Sequence, residues 1–179
     1  MSSEKIDFKK LKPRKLALSD DLTSFNCDYE DDLGCNDFIH NEDEAKRYQR
    51  ERLGITYLFS YEGVVVAFVT LAMSSIESKR IDKRHRNPIR LKSYPSLLIG
   101  RLGTENDSRR KGIGKYLCSW CVGLIMELSK DIGCRYVILE TNEKKICFYK
   151  KCKFERGIEL DTDDGKTFWM YKRVVLNPE

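Results

Sequence analysis

The chain has 179 residues, 41% of them apolar and 34% charged, with a net charge of +5; these are the proportions of one folded globular domain over 1–179, not of a disordered or fibrous chain. At this length a core needs no disulfide or metal staple. No apolar run reaches the roughly 18 residues of a membrane span, and the polar, basic start lacks the apolar stretch of a secretory signal, so a cytoplasmic setting with reduced thiols is expected.

In chain order, residues 1–13 read as a poorly ordered leader and 15–19 as a short first strand. Residues 22–49 read as one or two helices, with Leu22, Phe25, Leu33, Phe38, Ile39 and Tyr48 as buried points. This stretch is acidic: ten carboxylates and no Lys or Arg lie between Asp20 and Glu44. Residues 55–60 form a strand, Tyr61-Glu62-Gly63 a turn, and 64–73 the β-branched return of a hairpin. Residues 74–94 are polar and hold Pro88, which predicts a long basic loop over 76–93; seven basic residues and one acidic lie between Lys79 and Lys92. A buried strand follows at 97–102. Residues 112–130 carry Ile113, Leu117, Trp120, Cys121, Leu124 and Leu128 at helical spacing, with Gly133 as the stop. A strand at 136–139 and a short helix at 143–151, capped by Asn142, come next. Residues 154–160 and 167–175 close as a hairpin around Asp163-Asp164-Gly165. Helices alternate with strands while some strands follow strands directly, which implies an α/β or α+β three-layer arrangement with a mixed sheet.

The seven cysteines are Cys27, Cys35, Cys118, Cys121, Cys134, Cys147 and Cys152. Cys118 and Cys121 form a CxxC inside the long helical pattern. No second CxxC and no His pair completes a zinc set, so thiols on a helix are expected and no metal.

The segment with chemical content runs from the buried strand through Arg109-Arg110-Lys111-Gly112-Ile113-Gly114-Lys115 into the long helix. The first turn of a helix leaves amide N–H groups unpaired and carries a partial positive charge. Gly112 and Gly114 let an anion approach the backbone, and Arg109, Arg110, Lys111 and Lys115 add cations. A P-loop is excluded because Tyr116 follows Gly114-Lys115 and no glycine stands five residues before Gly114; a dinucleotide fingerprint is excluded because position 117 is Leu.

Arg109-Arg110-Lys111-Gly112-Ile113-Gly114 resembles the Arg/Gln-x-x-Gly-x-Gly/Ala signature of the GNAT superfamily of acetyl-CoA-dependent N-acetyltransferases. Asn142 followed by Phe148-Tyr149-Lys150-Lys151-Cys152-Lys153-Phe154 resembles that family's second signature, with Lys153 where the family usually has glycine. The resemblance covers roughly residues 55–174. It implies a three-layer fold around a mixed, mostly antiparallel sheet of six to seven strands, and acetyl-CoA as co-substrate with no metal. The signature from Arg109 to Gly114, with Lys115, would bind the pyrophosphate; Leu102, Gly103 and Thr104 would pair with the pantetheine arm; Asn142 would cap its helix and touch the cofactor. Tyr149 would act as general acid to the coenzyme thiolate, a step of the kind that contributes roughly a hundred- to ten-thousand-fold. Glu140 and Glu105 are the candidate bases. Cys147 and Cys152 flank Tyr149, and the family's usual direct transfer in a ternary complex makes both structural.

The family's acceptor cleft lies beside the first helices and the last hairpin. Here those segments hold Asp28, Glu30, Asp31, Asp32 and Asp37, and Glu159, Asp161, Asp163 and Asp164, which suits a cationic amine such as a polyamine, a lysine side chain or a peptide amine. The alternative starts from the basic run, which suits a phosphate backbone. Phe25-Asn26-Cys27 and the strand with Arg101-Leu102 resemble the GNAT toxins that acetylate aminoacyl-tRNA. A third reading, of another class, is a non-catalytic acetyl-CoA sensor. Either a monomer or a homodimer is compatible with the sequence.

Overall fold

Short runs of β-branched and aromatic residues separated by turn chemistry become the strands, and the one long amphipathic run becomes the longest helix. The computed structural model describes residues 6–29, 33–41, 44–159 and 167–175. In chain order they form β1 (Lys12–Lys15), α1 (Cys35–His40), α2 (Glu44–Arg50), β2 (Ile55–Tyr61), β3 (Val64–Glu77), β4 (Ser93–Thr104), α3 (Ile113–Leu128), β5 (Tyr136–Thr141), α4 (Glu143–Lys151), β6 (Glu155–Arg156) and β7 (Phe168–Arg173). The seven strands make one mixed sheet in the order β1-β2-β3-β4-β5-β7-β6. Met1–Ala72 with Gly100–Leu117 form one compact unit, and Met73–Ile99 with Cys118–Glu179 a second.

In the first unit β1 pairs antiparallel with β2, and β2 with β3, with a register shift between Phe59 and Ser60. The core beneath α1 and α2 gathers Leu16, Leu22, Phe25, Cys27, Phe38, Leu58 and Phe68. β1 begins earlier than the predicted 15–19. Pro13 lacks an N–H and is tolerated on an edge strand. Beyond Lys15 the chain turns, because the Asp20 carboxylate accepts both the Arg14 guanidinium, at 2.6 and 2.7 Å, and the Ala17 N–H. The stretch read as a leader holds, over its described part, a 3₁₀ turn at Phe8–Lys10 and a buried Leu11.

The stretch 22–49 holds two helices, as one of its two readings had it, but they start later than expected: among the described residues 22–29 are irregular, and α1 and α2 occupy Cys35–His40 and Glu44–Arg50. Side-chain oxygens of Asp21, Asn26 and Asn36 accept the backbone N–H groups of Thr23, Asp28 and Cys27. Such local bonds compete with the helical ladder.

In the second unit β4 runs parallel to β5 over Ser96–Leu98, and β5 and β6 both pair antiparallel with β7. Ile76, Ile81, Tyr94, Tyr136, Ile138 and Tyr171 form its core. β3 continues to Glu77 and β4 starts at Ser93, so the basic connection is shorter than the predicted loop, and the Ser78 N–H closes it on the Lys92 carbonyl at 2.9 Å. This segment is anchored. The Tyr171 hydroxyl accepts the Asp82 N–H at 3.2 Å and meets His85 Nδ1 at 2.9 Å, while the Tyr136 hydroxyl donates to the His85 carbonyl at 2.7 Å. The closing hairpin is also shorter than predicted. After β6 the Ile158 N–H bonds the Arg80 carbonyl instead of β7. Its predicted turn, Asp163-Asp164-Gly165, lies outside the described residues.

Candidate functional site

The first unit holds the glycine-bearing loop and the strand that leads to it. At Gly103 an added Cβ would stand 2.5 Å from Phe68 Cε1 and 3.0 Å from Cys27 Sγ, so a side chain is excluded by close packing. Leu102 is half-buried beside it, and its carbonyl accepts the Cys35 thiol at 3.8 Å. After Thr104 the Glu105 N–H bonds the Val66 carbonyl at 2.9 Å, and the Glu105 carboxylate caps the turn Asn106–Ser108 by accepting the Ser108 N–H at 3.0 Å. One of the two candidate bases therefore has a local structural use.

Arg109 is engaged rather than extended. Its Nη1 donates to the Tyr29 carbonyl at 2.7 Å and its Cζ lies 4.4 Å from the centre of the Tyr29 ring. Asn106 ties the same segment down through the Asn26 carbonyl and the Asp28 carboxylate. Arg110 and Gly112 both have positive φ, +60° and +88°, on either side of Lys111. Backbone of this kind turns successive N–H groups toward an anion. The first helical bond of α3 runs from the Tyr116 N–H to the Gly112 carbonyl at 3.0 Å, so the amides of Gly112, Ile113, Gly114 and Lys115 are the ones a helix start leaves over. Arg110, Lys111 and Lys115 are exposed, whereas the Ile113 side chain belongs to the core. A diphosphate fits this donor set: a run of amides, two positions without a Cβ, and mobile cations at the rim.

The second unit holds the other predicted residues. Asn142 caps α4 by accepting the Lys145 N–H at 3.1 Å. Tyr149 on α4 is 8% exposed and lies between two rings, Phe148 at 4.9 Å and Phe154 at 6.0 Å, both near edge-to-face. Lys153, which stands where the second signature has glycine, takes the left-handed conformation at φ +64°. Glu140 is exposed on β5 opposite Trp169. Thr141 beside it is fully buried, and its hydroxyl has no hydrogen-bond partner among the described residues.

Cys147 is exposed and Cys152 buried. Cys118 meets Cys152 rather than acting as half of a CxxC: a hydrogen bond between the two thiols and then burial raise its pKa above the ordinary thiol value. Burial pushes Cys121 up to about 12. Neither is poised as a thiolate nucleophile. Among the described residues no group of His, Cys, Asp and Glu could hold a metal ion, and no helix is long and apolar enough to cross a membrane.

The two charged segments differ in how far their side chains are paired. In the basic run Lys79 pairs with Glu77, Arg84 with Asp82, Arg86 donates to the Ile81 carbonyl, and Arg80 lies 5.8 Å from the Trp169 ring. Lys83, Arg90 and Lys92 are exposed and have no carboxylate partner among the described residues. On the acidic side Asp28 serves Asn106, Asp37 sits exposed in the first turn of α1, and Glu159 pairs with Arg156. Glu30, Asp31, Asp32, Asp161, Asp163 and Asp164 lie outside the described residues. Sequence reasoning missed Tyr29, whose only signal was an aromatic ring in an acidic stretch.

Comparison with solved structures returns the same fold. A tyrosine-to-phenylalanine mutant of KacT matches with a TM-score of 0.77 at 22% identity, covering 92% of this chain and 95% of that one. AtaT complexed with acetyl-methionyl-tRNAfMet matches with a TM-score of 0.77 at 22% identity, covering 91% and 94%. AtaTR bound with acetyl-CoA matches with a TM-score of 0.71 at 23% identity, covering 93% and 95%. A search of the curated proteins finds no significant match. The sequence model of the acetyltransferase (GNAT) domain matches residues 52–156, more than half of the chain, and the protein belongs to the GNAT acetyltransferase family.

Proposed function

We propose that this enzyme moves the acetyl group of acetyl-CoA to the α-amine of an aminoacyl-tRNA, by direct transfer. The observation that carries the donor half is the start of α3, where Arg110 and Gly112 take positive φ and the helix leaves its first amides over for a diphosphate. When bound, acetyl-CoA supplies the activated thioester. The backbone of Leu102, Gly103 and Thr104 holds the pantetheine arm, the amides from Lys111 to Lys115 hold the pyrophosphate, and Asn142 secures the start of α4. Tyr149 donates its hydroxyl proton to the sulfur as the carbon–sulfur bond breaks and the new amide forms; the proton the amine gives up passes to water, which returns one to the Tyr149 phenolate. Its burial between two rings restricts the hydroxyl to few orientations.

Two observations favour an aminoacyl acceptor over a lysine or polyamine. Lys83, Arg90 and Lys92 have no carboxylate partner among the described residues and stand on an anchored segment, which suits a polyphosphate backbone. An α-amine has a pKa of about 8, against about 10.4 for lysine, so much more of it is unprotonated at neutral pH. That removes the need for a strong carboxylate base, in keeping with the use of Glu105 as a turn cap. The tRNA complex of AtaT, a protein of the same fold, supports the same acceptor class.

The test is thiol release from acetyl-CoA with charged tRNA, deacylated tRNA, spermidine and a lysine peptide. Release with charged tRNA alone is the expected result. Turnover with spermidine or the peptide, and none with charged tRNA, overturns the acceptor. Failure to bind CoA by calorimetry overturns the donor site as well.

A further inference from the structure

Gly112 has no side chain, so nothing of its own fixes the peptide planes of the loop it serves. Its constraint comes from outside, from a residue more than a hundred positions away in the chain. A Cβ built on Gly112 would meet Phe8 Cζ at 3.2 Å and Phe8 Cε2 at 4.0 Å, and, its chain neighbours aside, no other atom of the described residues within 4 Å. The Phe8 ring also lies flat on Tyr116, with centroids 5.1 Å apart and planes 7° from parallel. Tyr116 is the residue whose N–H makes the first helical bond to Gly112. Its ring is braced edge-on by Phe59 of β2 at 6.4 Å. Phe8 is itself held by a local turn: the Asp7 carboxylate accepts the Lys9 N–H at 3.0 Å, and the N–H of the buried Leu11 returns to the Phe8 carbonyl at 3.2 Å.

From this column of three rings we infer that Phe8 is a positioning residue of the donor site, holding Gly112 and the first turn of α3 in the conformation that receives the diphosphate of acetyl-CoA. The inference rests on the donor site proposed above. The segment before β1 is then a working part of that site: its aromatic ring supplies the packing that Gly112 lacks. Stacked rings attract one another beyond the effect of their buried area. Losing that contact releases a loop residue with unusually many accessible conformations, and the entropy of re-ordering it falls on ligand binding.

The experiment uses the full chain. CoA binding is measured by calorimetry and acetyl transfer by steady-state kinetics for wild type, Phe8→Ala, Phe8→Leu and Phe8→Tyr, each with a thermal melt. In Phe8→Ala the expected result is about a tenfold weaker Kd for CoA and a matching rise in KM for acetyl-CoA, with kcat at saturation within about twofold. Phe8→Tyr keeps the stack and is expected to restore both constants. A folded Phe8→Ala that binds CoA like wild type overturns the inference and leaves the donor site standing; so does a lowered melting temperature with unchanged Kd, the mark of a packing role alone. Where Phe8→Ala fails to fold, Phe8→Leu, which keeps apolar bulk without a stack, decides on the same criteria. Wild type that fails to bind CoA overturns the donor site, and the inference with it.

Discussion

The backbone N–H of Phe154 donates to the carbonyl of Tyr149 at 3.0 Å, and their rings meet near edge-to-face with centroids 6.0 Å apart. With the Lys153 N–H on the Lys150 carbonyl at 2.9 Å, these contacts form the paired bonds and apolar contact of a Schellman ending of α4. The proposed general acid is thus fixed by the way its helix stops. The motif requires a left-handed residue next to last, and Lys153 supplies it.

Lys153→Gly is expected to stabilise the fold. A side chain in the left-handed region costs about 1–2 kcal/mol, and the extra freedom of glycine in the unfolded chain returns about 0.4–1. A net gain of about 0.5–1 kcal/mol should appear in urea denaturation. A loss of stability in this variant contradicts the reading of the helix end.

Tyr149→Phe removes one hydroxyl and keeps the ring against Phe148 and Phe154. The transfer rate should fall by about 10²–10⁴ while CoA affinity stays within about twofold. Wild-type turnover by this variant would remove Tyr149 from the chemistry.

Gly103→Ala brings a methyl to within 2.5 Å of Phe68, which is fully buried in the core beneath α1 and α2 and has no room to retreat. Overpacking of this kind costs about 1–3 kcal/mol, to be read from the denaturation midpoint. Gly123 has nothing within 4 Å of its own added Cβ among the described residues outside its own helix backbone, so Gly123→Ala makes the control and should be neutral or stabilising in the helix.

Neutralising Lys83, Arg90 and Lys92 together to Gln should weaken charged-tRNA binding with little change in melting temperature, because these side chains are exposed. Each cation that meets a phosphate contributes about 0.9 to the slope of log K against log salt. The slope should therefore flatten by up to about 2.7. An unchanged slope would show that the segment does not touch RNA.

Acid should destabilise the fold through two aspartates held below the usual carboxylate range. The Arg14 guanidinium lowers Asp20, against the effect of its partial burial, and the Ala17 N–H helps. The Arg84 guanidinium and backbone N–H lower Asp82. A depressed carboxyl stabilises fully above its unfolded pKa of about 3.9, and that contribution disappears as pH falls through the lower folded value. Between pH 5 and about 2, denaturation midpoints should drop less steeply for Asp20→Asn than for wild type.

The order of elements, the glycine-bearing entry to α3 and the Asn142 cap were legible because each is written within a few consecutive residues. Hydrophobic period, a helix start that needs unpaired amides, and an N-cap bond three residues long are local devices, and local chemistry survives without knowledge of the fold. The special backbone at Lys153 was signalled only by the family resemblance, in which glycine usually stands at this place, and the structure puts Lys153 in the left-handed region at φ +64°. What escaped depends on partners far apart in the chain. Arg109 reads as a free cation until Tyr29, eighty residues earlier, takes its guanidinium. The basic run reads as a loose loop until Tyr136 and Tyr171 hold His85 and Asp82. The CxxC reads as a pair until Cys118 finds Cys152, at the C-cap of α4, thirty-four residues later. Such contacts follow from which faces the folded chain brings together, and no period or spacing along the backbone encodes them.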